Sequence, residues 1–136
     1  MVDDYTKKWI IKALNDFKVM LNERKVPPKD LVTDAICFHA QQAVEKFLKA
    51  YLVAYNIEFG KTHNLKTLLG QCIEHDSDFT RVSVGDLSDY AVAVRYPDEF
   101  YEPTLEEVDK HITIATDVKK FVLDKLTIKE NTIRKQ

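Results

Sequence analysis

Apolar residues recur at three- and four-residue steps through most of this chain, and that spacing limits its fold more than any other feature. Trp9, Ile10, Ala13, Leu14, Phe17, Met20 and Leu21 draw one stripe between about residues 4 and 24, the pattern of a helix with one buried face. Lys25-Val26-Pro27-Pro28-Lys29 ends it, because proline cannot continue a helix and restrains the residue before it. A second helix is predicted from Thr33 or Asp34, either able to cap, to about Asn56. Ile36, Ala40, Ala43, Val44, Phe47, Leu48, Tyr51 and Tyr55 form its apolar face. Gly60 breaks the chain, and Thr62 to Asn64 offer caps for a short helix over 65–75, followed by a looser stretch to Gly85. Leu87, Tyr90, Ala91 and Val94 predict a fourth helix that stops at Tyr96-Pro97. Thr104 and Glu107 match a capping box for the last helix, whose inner face is Val108, Ile112, Ala115, Val118, Val122 and Leu126.

No stretch alternates as a strand does, and 3 Gly and 4 Pro are too few for the many turns of an all-β fold. The 136 residues fit one domain. The predicted fold is all-α, an antiparallel up-and-down bundle of about five helices over residues 1–126, with a polar tail over 127–136 that frays. A net charge of −2 argues against a protein that coats a polyanion and leaves room for a local basic patch. No apolar run approaches the roughly 18 residues that span a bilayer, and the acidic start MVDD lacks the features of a signal peptide. A cytoplasmic protein without a membrane role is the expectation. Cys37 and Cys72 fall inside helical segments without framework spacing and read as free thiols.

Chemistry concentrates on the second helix. His39, Gln42, Lys46 and Lys49 fall within an arc of about 80° at the 100° step of an ideal helix, along a ridge ~15 Å long. The lysines can hold phosphate as point charges, while Gln42 and His39 are directional hydrogen-bond donors. The competing reading is a solvated face on which Glu45 and Lys49 form an i,i+4 pair. Phe38, Leu52 and Val53 lie near this polar side, which suggests cover by a partner. The second candidate is Val94-Arg95-Tyr96-Pro97-Asp98, where a helix exit would hold Arg95 for bidentate contact with phosphate, against pairing with Asp98 or Glu99. His63 is a third, set against a purely structural role in its loop.

Other motifs fail on spacing. Gly60-Lys61-Thr62 resembles the end of a phosphate loop, but position 55 is Tyr and no strand precedes it. His39, His63, His75 and His111 have no metal-site spacing, and no serine sits in a nucleophile turn. No metal and no cofactor is indicated.

Phe38-His39-Ala40-Gln41-Gln42-Ala43-Val44-Glu45-Lys46, Lys61-Thr62-His63-Asn64-Leu65 and Val94-Arg95-Tyr96-Pro97-Asp98, in that order, resemble the HEPN (higher eukaryotes and prokaryotes nucleotide-binding) domain family, small prokaryotic stand-alone type. The resemblance spans Trp9 to about Leu126. It implies an all-α bundle that commonly dimerises, often beside a separate minimal nucleotidyltransferase in operons of toxin–antitoxin type. Many members are metal-independent endoribonucleases with an Arg-x4–6-His motif. Here the residues five to seven places after Arg95 are Phe100, Tyr101 and Glu102, so the motif is not intact. The leading expectation is therefore a homodimer that binds a nucleotide, or RNA, through His39, Gln42, Lys46, Lys49, His63, Arg95 and Tyr96, and acts with a nucleotidyltransferase partner. The alternatives are an endoribonuclease toxin with a degenerate motif, or a protein-interaction module without catalysis.

Overall fold

The structure is a computed structural model that describes residues 2–89 and 101–133. Its helices are α1 (Asp4–Arg24), α2 (Thr33–Ala54), α3 (Leu65–His75), α4 (Leu105–Lys125) and α5 (Glu130–Ile133), and no strand occurs among the described residues. The fold class is the all-α helical bundle that the periodicity predicts. The predicted fourth helix lies largely outside the described residues; before it, Leu87–Asp89 forms a short 3₁₀ turn.

Capping chemistry sets the helix starts. The Asp3 carboxylate accepts from the Thr6 N–H at 2.8 Å, and Asn64 caps Thr67 at 3.0 Å. Thr104 and Glu107 close the capping box of α4. α2 starts at Thr33 as expected, but its cap differs from expectation. Val32 occupies the cap position and offers no side-chain acceptor, so neither Thr33 nor Asp34 caps the helix. The N–H of Val32 instead donates to Glu23 Oε2 at 3.0 Å, so α1 secures the entry to α2. Two helices end in paired Schellman bonds. Ile57 and Asn56 donate to Leu52 and Val53 beyond α2, while Ile128 and Thr127 donate to Leu123 and Asp124 beyond α4. Asn56 and Thr127 consequently take φ of 58° and 56°.

The core is the set of stripes read from the sequence. Ile10, Ala13, Leu14 and Met20 of α1 meet Ile36, Ala40, Val44, Phe47 and Leu48 of α2, all at most 1% exposed. Val108, Ala115, Val118 and Val122 of α4 close the same core. Leu52, which lies near the polar side of α2, is fully buried within the chain. After α4 the chain turns back, and Ile133 of α5 is 4% exposed against the core cluster, so the described part of the polar tail carries a buried anchor.

Helix direction follows from pairs of contacts. Glu23 meets Val32, Asp16 meets His39 and Lys46, and Trp9 lies by Lys49, so α1 and α2 are antiparallel. Residues 55–64 then run back along α2. His63 reaches Glu45, after which Cys72 approaches Leu48 and His75 meets Tyr51. Thus α3 runs parallel to α2, in place of the strict up-and-down order a short connection would give. The return loop delivers His63 to the middle of α2.

Candidate functional site

A polar seam follows the junction of α1 and α2. At one end the His39 Nδ1–H donates to Asp16 Oδ1 at 3.0 Å, and Lys46 Nζ donates to Asp16 Oδ2 at 2.5 Å. One carboxylate on α1 thereby orders two predicted site residues on α2 and offsets the charge of Lys46. Phe38 stands edge-on to the His39 ring at 5.4 Å.

Further along, the predicted ridge divides into an outer and an inner part. Lys49 is 6% exposed, not part of a solvated face, and donates to Glu45 Oε2 at 3.0 Å. Its ammonium also lies 5.8 Å from the Trp9 ring centroid and 5.4 Å from that of Phe59. The i,i+4 pair is present, but inside the protein, because Trp9 of α1 and Phe59 of the return loop cover it. A buried ammonium already engaged in this way is not available to a phosphate, which removes Lys49 from the direct-contact set.

Glu45 is the hub. Its oxygens accept from Lys49, from Gln41 Nε2 at 3.1 Å, and from His63 Nδ1, which lies 3.1 Å from each. Gln41 also reaches the His63 carbonyl at 3.5 Å, and Gln42 Nε2 donates to Gln41 Oε1 at 2.7 Å. At about 100° per residue, Gln42 falls between Glu45 and Lys46 around α2. It forms the floor of the seam, with the His63 loop on one side and α1 on the other.

Sequence reasoning passed over the α1 wall. Tyr5, Lys8, Trp9 and Lys12 join Lys46 in lining a groove of about 200 Å³. Tyr5 is 59% exposed and meets Trp9 edge-on at 6.4 Å. Lys8 and Lys12 are exposed, and among the described residues neither has a carboxylate partner. The signal was available in Tyr5-x2-Lys8-Trp9-x2-Lys12, whose members share one helix flank at three- and four-residue steps. The core stripe that contains Trp9 concealed it.

Arg95 and Tyr96 lie outside the described residues. Near the chain preceding them stands a second cluster that the sequence did not signal. His111 Nε2–H donates to Asp86 Oδ1 at 2.9 Å, and the Cys37 thiol lies 3.3 Å from His111 Nδ1. The order Cys–His–Asp resembles a nucleophile with its base, but Cys37 is fully buried. Burial, reinforced by Glu107, Asp34 and Asp86, pushes its thiol up to about 12. A protonated thiol out of reach of solvent is a structural donor. Hydrogen bonding from His111 holds Asp86 below the usual carboxylate range. Among the described residues no three His, Cys, Asp or Glu side chains converge as a metal set, and no helix is long and apolar enough to cross a membrane.

The helical bundle is an all-α domain with a polar seam and an adjoining groove built from the flanks of α1 and α2. The family model for the HEPN domain matches residues 6–126, and the chain belongs to that family. No curated protein and no solved structure matched in comparison.

Proposed function

We propose that this HEPN-domain protein binds a nucleotide in the α1–α2 seam, and that it does so as a homodimer acting with a nucleotidyltransferase-domain partner, in an operon of toxin–antitoxin type in the cytoplasm. The observation that carries the binding part is the groove of Tyr5, Lys8, Trp9, Lys12 and Lys46. Aromatic rings flanked by unpaired ammonium groups suit a ligand that is a flat base at one end and a phosphate at the other. Lys8 and Lys12 supply the phosphate charge that Lys46, held by Asp16, and Lys49, held by Glu45, do not. His39, Gln42 and His63 add directional groups along the same seam, and Arg95 and Tyr96 remain in the proposed set by resemblance. The near-neutral net charge agrees with a small, locally bound anion in preference to a long polyanion.

Calorimetric titration with ATP tests the reading. The parent protein binds, and the double charge reversal Lys8→Glu/Lys12→Glu, both on the exposed flank, reduces affinity at least tenfold while helicity is unchanged. Equal affinity in the two proteins excludes the seam as the site. Native mass measurement on the protein co-expressed with an adjacent nucleotidyltransferase, where one is encoded, tests the assembly.

A further inference from the structure

Tyr5 stands between two grooves of opposite character. On one side is the proposed nucleotide groove, about 200 Å³ in volume, with Lys8, Lys12 and Lys46 and no carboxylate in its lining. On the other is a groove of about 590 Å³, which Tyr5 lines together with Asp3, Val53 and residues 56–60. The charged side chains of this second groove are Asp3 and Glu58, with no base among them. The first groove is smaller than the roughly 300 Å³ at which small-molecule sites begin, so a nucleotide seated on it has to continue across Tyr5. A nucleotide is divided in the same way, with anionic phosphates at one end and a flat base bearing N–H donors at the other.

Of the two carboxylates, Glu58 is the uncommitted one. Asp3 caps α1, and its Oδ1 accepts from the Thr6 N–H at 2.8 Å. The Glu58 side chain is exposed and, among the described residues, has no hydrogen bond or ion pair. Its backbone, by contrast, is pinned. Before it, the N–H groups of Asn56 and Ile57 donate to the Val53 and Leu52 carbonyls at 3.0 and 2.9 Å. The Glu58 carbonyl itself accepts from Gln71 Nε2 at 2.8 Å. After it, Phe59 packs edge-on to Trp9 at 5.9 Å. A ligand that engages this carboxylate therefore orders only a side chain, because the loop that carries it is already fixed.

We infer that Glu58 reads the base of the bound nucleotide and selects guanine. This deepens the nucleotide-binding reading and rests on it. The base lies on Tyr5, the phosphates run toward Lys8 and Lys12, and the Watson–Crick edge enters the acidic groove. Guanine presents two adjacent donors on that edge, N1–H and the 2-amine, which one carboxylate accepts side by side as charge-assisted hydrogen bonds. Adenine presents its 6-amine beside the lone pair of N1, which repels the second carboxylate oxygen. Cytosine repeats that arrangement, and the single donor of uracil is flanked by two carbonyl oxygens. Guanine alone among the four matches a carboxylate at both positions.

Calorimetric titration of the full chain with GTP and with ATP, at one pH and ionic strength, tests the contact. GTP is expected to bind at least about tenfold more tightly, the scale of a charge-assisted pair over a mismatched edge. Inosine triphosphate keeps N1–H but lacks the 2-amine, and falls between the two. Glu58→Gln, at an exposed position, keeps the backbone bond to Gln71 and turns one acceptor into a donor. Its amide matches the edge of adenine, so GTP weakens about tenfold and the preference passes to ATP. ATP bound as tightly as GTP by the parent protein, or a GTP preference that survives Glu58→Gln, overturns the base contact and leaves the nucleotide reading intact. Binding of neither nucleotide overturns both.

Discussion

Both carboxylate oxygens of Glu45 lie 3.1 Å from Nδ1 of His63, which ties the middle of α2 to the loop that returns from its end. Lys49, one turn further along, shares that carboxylate at 3.0 Å and is itself buried. Removing one member of a buried pair leaves the other uncompensated. Glu45→Ala is expected to lower stability by about 3 kcal/mol, read as a lower urea midpoint at constant slope. Replacing both charges, Glu45→Leu with Lys49→Met, is expected to recover most of that loss. An equal loss in the double variant would show that the charges are not what the site depends on.

Asp16 restrains the seam's charge. It binds both His39 and Lys46 and is 14% exposed at its side chain. Asp16→Asn keeps the shape, removes the anion and releases Lys46 toward the groove. ATP affinity at low salt is expected to rise by about fivefold, the equivalent of roughly 1 kcal/mol. Stability is expected to fall by about the same amount for the weakened hydrogen bonds. A tighter complex from a less stable protein is an uncommon combination, and weaker binding in this variant would count against Lys46 as a ligand.

Acid stability follows from two carboxylates. Asp76 is held below the usual range by Lys125, whose own ammonium is raised to about 12 by Asp76 and Asp78. Asp86 is held down by the hydrogen bond from His111. A carboxyl lowered in the fold binds protons more readily when unfolded. Its contribution is therefore complete above the unfolded value of roughly 3.9 and is lost as pH falls through the folded value. Urea midpoints are expected to fall steeply only below about pH 5. Asp76→Asn and Asp86→Asn each make that decline shallower, at the cost of a lower midpoint at pH 7.

The end of α4 holds a correctable strain. Thr127 occupies the left-handed position of a Schellman motif with φ of 56°, where a β-branched residue is unfavourable. Thr127→Gly is expected to stabilise the protein by about 1 kcal/mol, measured as a higher midpoint in urea. A lower midpoint would mean that the threonine side chain contributes something its exposed position does not suggest.

Much of the fold was legible because its signals are local. Apolar spacing placed α1 at Asp4–Arg24 and α3 at Leu65–His75, and the Thr104–Glu107 box marked the start of α4. The start of α2 at Thr33 was legible too, but its capping was not, because its entry is held by Glu23, a residue on another helix. The site was less legible for a related reason. His39, Gln42, Lys46 and Lys49 share one flank of α2 by arithmetic, but which of them meets solvent depends on Trp9 and Phe59, distant in sequence. Asp16 and Glu45 were invisible as organisers because a carboxylate on a helix usually faces water. His63 could be singled out, but its contact with Glu45 required the direction of the return loop, which periodicity does not encode.

Trp9 is the single tryptophan of the chain and lines the proposed groove, so its fluorescence reports directly on occupancy. Titration with ATP at low ionic strength is the most direct measurement of the central claim. A saturable change in Trp9 emission is predicted, weakened by added salt and abolished in Lys8→Glu/Lys12→Glu. Emission that does not respond to ATP in the parent protein, with no heat of binding in calorimetry, would contradict nucleotide binding in the α1–α2 seam.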